Sequence, residues 1–151
     1  MVFIAVAVAV FIRLIPRKTL IWNTYSSTSL QKAFDKKQSV LITLSANWCT
    51  SGMIHERTAT SSTTATQAIR DSGLLTLRAD LTNLDPAAVQ LMKDTGLTTI
   101  PAFMLYNPAF PTDPMVLKDL VSEEQLLDAI RYNSERTQKH GMDSKGSIDR
   151  D

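Results

Sequence analysis

The chain of 151 residues has a single cysteine, Cys49. One thiol excludes a disulfide framework and any multi-cysteine metal site. Histidine is nearly as scarce. His55 and His140 stand far apart in the sequence, whereas a metal site needs three or four convergent ligands. No metal and no cofactor is expected. A surplus of one charge is also lacking: 16 basic residues face 15 acidic ones, for a net charge of +1. Without a basic field or a Lys/Arg-rich block, nucleic acid is not an expected partner. Internal repeats are absent. Hydrophobic residues make up 44% and charged residues 21%, which fits one globular domain of ordinary size with terminal extras.

Charge is missing altogether from residues 1–12 of "MVFIAVAVAVFIRLI", and Arg13, Pro16, Arg17 and Lys18 close that segment. A bilayer span needs about 20 apolar residues, with about 17 at the low end. The segment reaches this only if Arg13 snorkels and Leu20–Trp22 join in. A cleaved signal peptide would carry its charge before the apolar run, and an exposed Val/Ala strand this apolar would be a liability. The favoured expectation is an N-terminal hydrophobic helix over residues 1–22 that anchors the chain to a membrane. A signal peptide and a buried N-terminal element remain as alternatives. Cationic residues on the C-terminal flank would put that flank in the cytoplasm by the positive-inside rule.

The remainder alternates. Residues 23–29 (NTYSSTS) read as a polar linker ending in a helix N-cap. Helix patterns follow at 30–38, from near Cys49, at 64–73, 85–96 and 122–133, and the last starts at Ser122. Short apolar runs at 40–46, 74–81, 102–107 and 115–120 read as strands, with a Pro-rich turn at 108–114. Pro86 and Gly96 bracket one helix in the expected order. Residues 133–151 are polar and expected to be a disordered tail. This order predicts an α/β fold with a mixed central β-sheet flanked by helices on both faces. In such sheets the active site lies at the carboxyl ends of the parallel strands. Cys49 stands there, three residues after a strand and at a helix start, where free N–H groups favour an anion.

"LITLSANWC" (41–49), Glu56, "LRADLT" (77–82), "TTIP" (98–101) before a strand, and a final helix occur in this order. Over residues 26–132 the chain resembles the thioredoxin-like superfamily. The likeness is strongest to the C-terminal thioredoxin-like domain of DsbD-type protein-disulfide reductases. The resemblance implies a thioredoxin-like fold, a nucleophile at Cys49 beside Trp48, and a cis peptide bond between Ile100 and Pro101 against the cysteine. It further implies a second acid of the site at Glu56 and a domain on the periplasmic side, after a membrane span. Its partners would be a disulfide-containing protein or glutathione.

The departures are specific. The family motif W-C-x-x-C-K is here Trp48-Cys49-Thr50-Ser51-Gly52-Met53. Gly52 occupies the place of the second thiol, and Thr43 that of the family's buried acid. A dithiol enzyme attacks with one thiolate and releases its partner with the other. Cys49 alone could form a mixed disulfide but not resolve it. The expectation is a membrane-tethered thiol-disulfide exchange protein with a degenerate Cys49–Gly52 site, limited to monothiol chemistry. The alternatives are a non-catalytic peptide-binding module of the same fold, using strand-like pairing beside Pro101, or a relic fragment of a larger reductase. Each residue also has a plainer reading: Cys49 as a small buried hydrophobe, Trp48 as a core aromatic, Pro101 as a trans turn proline, Glu56 as a solvated helix residue. The oligomeric state is not legible.

Overall fold

A computed structural model describes residues 20–146. Strand β1 (Asn23–Thr24) precedes helix α1 (Ser27–Asp35), β2 (Val40–Ser45), α2 (Thr50–Thr60), α3 (Thr63–Asp71), β3 (Leu75–Asp80) and α4 (Pro86–Asp94). The hairpin β4 (Ala102–Asn107) and β5 (Phe110–Lys118) and the long helix α5 (Glu123–Gly146) complete the domain. The five strands lie in the order β1-β3-β2-β4-β5. β1, β3 and β2 run parallel, and β4 and β5 are antiparallel to their neighbours. This is the mixed sheet flanked by helices that the alternation predicts.

β2 is central because its residues, VLITLS, suit burial on both faces. Val40, Ile42 and Leu44 join Ala102, Met104 and Tyr106 of β4 in one core, under α1 and α4. Leu41, Phe103 and Leu105 point the other way, into a second core beneath α2, α3 and α5. The period of two along each strand thus builds both layers. Helix starts are fixed by side chains. Ser26 caps α1, Ser62 caps α3, and Asp85 caps α4 ahead of Pro86. Ser122 and Gln125 bond reciprocally at the start of α5, at 2.9 and 3.2 Å. Gly73 and Gly96 follow α3 and α4 at φ of +66° and +64°, where a side chain would be strained.

Three readings change. The segment 23–29 is not all linker, because Asn23–Thr24 pair with β3 and α1 starts at Ser27. The expected turn at 108–114 is shorter. Asn107 pairs with Phe110, its Oδ1 accepts from the Ala109 N–H at 2.9 Å, and β5 starts at Phe110. Pro111 and Pro114 are tolerated because β5 is an edge strand. The last helix does not end near 133 but runs to Gly146. The cause is docking. Buried Asn107 reaches Asn133 Oδ1 at 3.1 Å and Thr137 Oγ1 at 2.9 Å. Arg136 pairs with Asp113 at 2.9 Å and lies 4.1 Å over the Phe110 ring, and His140 meets the same ring edge-on.

The expected N-terminal hydrophobic helix falls, for residues 1–19, outside the described residues. Its last members do not form a helix: Leu20 and Trp22 pack against the second core. Among the described residues no helix is long and apolar enough to cross a membrane.

Candidate functional site

Cys49 is the N-cap of α2, with φ −92° and ψ 95°. Its N–H donates to the Ala46 carbonyl at 3.0 Å, and its carbonyl accepts from the Gly52 N–H at 3.0 Å. The end of β2 and the first turn of α2 therefore hold this residue from both sides. The thiol is half-buried. Its Sγ lies 3.1 Å from the Ser51 hydroxyl, which thus makes the one side-chain polar contact of the sulfur among the described residues. The body of the cysteine and Ile100 pack against the same core. Ile100–Pro101 is cis, as the resemblance implies. Trp48 is not a core aromatic. It is 62% exposed, directly before the cysteine in sequence, and Ile54 of α2 is 52% exposed.

Gly52 sits one turn into α2, beneath the sulfur. A Cβ placed there would lie 3.5 Å from both Cβ and Sγ of Cys49, and 3.2 Å from Cβ of Ser45. The glycine thus occupies the position from which a second thiol would reach the first. Beside it opens a cleft of about 260 Å³ whose lining includes Ser45, Gly52, Glu56, Arg57, Arg78 and Asp80.

Thr43 is fully buried, and its hydroxyl has no hydrogen-bond partner among the described residues. It stands opposite Arg78 in the β2–β3 register. Arg78 is the acid-binding residue of the site: its guanidinium pairs with the carboxylate of Glu56 on α2. The Arg78 Nε is buried and without a hydrogen-bond partner among the described residues, and the guanidinium lies 5.9 Å over the Trp22 ring. Glu56 is therefore not a solvated helix residue but half of an ion pair at the cleft wall. Both side chains keep solvent contact, so the pair adds at most about 1 kcal/mol to stability. Its effect is to fix a carboxylate and a guanidinium beside position 52.

Sequence reading singled out Cys49, Trp48, Gly52, Glu56, Thr43, Ile100 and Pro101. Trp48, Cys49 and Gly52 lie together at the start of α2, Glu56 follows one turn on, and Thr43 lies in β2 opposite Arg78 of β3. Arg78, Ser51 and Arg57 were not singled out. Arg78 carried a signal, as the one charged residue inside the apolar run "LLTLRA". Among the described residues no cluster of His, Cys, Asp or Glu could hold a metal.

A family model described as thioredoxin-like matches residues 21–108. No curated protein matches the chain. Among solved structures, the reduced C-terminal domain of DsbD from Neisseria meningitidis is similar with a TM-score of 0.58 at 18% identity, covering 74% of this chain and 99% of that one. Its oxidised form gives 0.57 at 18% identity, over 73% and 97%. A structure named DsbH Oxidoreductase gives 0.61 at 11% identity, over 78% and 89%. At these identities the likeness is one of fold.

Proposed function

The chain belongs to the thioredoxin-like family, and on that premise we propose that it carries out thiol–disulfide exchange with one thiol. The observation that carries this is the half-buried Sγ at the start of α2 with only a glycine beside it at position 52. The Cys49 thiolate attacks one sulfur of a substrate disulfide. A new S–S bond joins Cys49 to that sulfur, and the other substrate sulfur leaves as a thiolate that takes a proton from water. No internal thiol follows. A second, external thiol such as glutathione then attacks the mixed disulfide as thiolate, releases Cys49 in its reduced form and itself stays in the new disulfide. Trp48 and Ile54 supply an apolar surface for the chain on either side of the substrate disulfide. Glu56 and Arg78 supply charge at the cleft wall, in place of the buried acid that Thr43 lacks.

The substrate is a disulfide-containing protein or glutathione disulfide. The apolar stretch ahead of Leu20 associates the domain with a membrane, while Leu20 and Trp22 pack on the domain's own second core. The uncharged run 1–12 supports the anchor. Full-length chain found wholly in the soluble fraction, without processing, would refute it.

The test of the exchange is trapping. Incubation with an oxidised client protein should give a covalent complex on non-reducing gels that reduced glutathione dissolves and that Cys49→Ser never forms. A second reading has one observation in its favour: the exposure of Trp48 and Ile54 would also suit a non-catalytic peptide-binding module. Client binding of undiminished strength by Cys49→Ser, with no covalent complex from the wild type, would favour that reading.

A further inference from the structure

Away from Cys49, between α1, the end of α4 and the β5 edge, lies a cavity of about 520 Å³. Its lining includes three aromatic residues, Tyr25, Phe34 and Tyr106, together with Asp94. None of the residues lining it is basic. Phe34 and Tyr106 stand 6.1 Å apart at 48°. Tyr25 and Tyr106 are more than nine-tenths buried, at 8% and 6% exposure. A buried tyrosine ordinarily finds a partner for its hydroxyl. Neither phenol oxygen makes a hydrogen bond among the described residues, and neither is closed off from solvent, so both oxygens face the open cavity. Asp94 accepts from Gln90 at 2.7 Å and makes no ion pair among the described residues.

We propose that this cavity binds a small alkylammonium ion, its cationic head between the rings and the Asp94 carboxylate and its alkyl part against the apolar wall. Three features point to that chemistry. Aromatic faces attract a cation through their quadrupole, most when water is excluded. A carboxylate without a cationic partner supplies the counter-charge. The volume lies within the range of small-ligand sites, about 300–1,000 Å³. The ammonium N–H groups also donate to the phenol oxygens in place of solvent. Burial raises both phenols above the ordinary tyrosine value, and the negative charge of Asp94 raises them further. The same charge would draw a cation in.

The test uses the full chain and two probes of equal length, n-butylammonium and n-butanol. NMR titration should show saturable shifts at Tyr25, Phe34, Tyr106 and Asp94, with butylammonium binding at least ten-fold more tightly. Asp94→Asn, at an exposed position, should weaken butylammonium about ten-fold and leave butanol unchanged. Phe34→Leu should weaken it by several-fold while keeping the apolar wall. Equal affinity for the two probes, or an Asp94→Asn chain that binds butylammonium as tightly as the wild type, would overturn the proposal and leave an unselective apolar crevice.

Discussion

Replacing Gly52 by cysteine returns a second sulfur to the start of α2, within reach of the first. The new Cβ would lie 3.5 Å from the Cβ of Cys49. That is the short end of the 3.5–4.5 Å seen in disulfides, so the bond can close with little backbone movement. One contact opposes it: the same Cβ would meet Ser45 Cβ at 3.2 Å, and one of the two must yield by a few tenths of an ångström. Crowding of this kind costs about 1–3 kcal/mol. Losing a helical glycine returns about 0.5–1 kcal/mol. The reduced variant should therefore be less stable than the wild type by up to about 2.5 kcal/mol. Closing a loop of only four residues restricts the unfolded chain by about 2 kcal/mol, so oxidation should recover most of the loss. Urea denaturation of the two redox states checks both values. With excess dithiothreitol, the variant should reduce insulin at least ten-fold faster than the wild type, which stays near background. Under mild oxidation its mass should fall by two hydrogens. An unmodified wild type that turns over insulin as fast as the variant would refute the reasoning. So would a variant that never closes an internal disulfide although Cys49 reacts with thiol probes.

Thr43→Val removes a buried hydroxyl that has no hydrogen-bond partner among the described residues. Stability should stay level or rise by up to about 1 kcal/mol, as read from the urea midpoint. Asn107→Ala should cost about 2–3 kcal/mol, because it strips the buried contacts to Asn133 and Thr137. Hydrogen exchange should then show faster opening of α5 beyond 133 than of its first turns. Burial first, then the charges of Tyr25 and Asp94, push the Tyr106 phenol up to about 12 from 10.0. Its folded-state value is raised, so its contribution is fully present below pH 10 and lost as pH rises towards 12. Thermal melts across that window should fall more steeply for the wild type than for Tyr106→Phe.

The parts of the fold legible in the sequence are those whose signals are local. The β-branched run of β2, the Pro86-to-Gly96 bracket of α4 and the Ser122 start of α5 each needed no distant partner. The position of Cys49 followed from the strand before it. β1 was not legible, since two polar residues carry no period and owe their extended form to pairing with β3. The start of β5 hid behind Pro111 and Pro114, whose effect depends on lying at an edge. α5 continues past 133 because Asn107 and Phe110 receive it, and a polar sequence alone cannot disclose that support. The Arg78–Glu56 pair joins residues 22 apart, and the aromatic cavity draws Tyr25, Phe34 and Tyr106 from three separate segments. Tertiary packing created both sites.

On the proposed exchange, Cys49 takes a disulfide partner but does not release it unaided. Intact-mass measurement after exposure of the native chain to oxidised glutathione tests this most directly. The expected result is a single glutathione adduct, mapped to Cys49, which persists after the excess reagent is removed and disappears when reduced glutathione is added. A native chain that takes up no adduct, or one that sheds it with no external thiol present, would contradict the account.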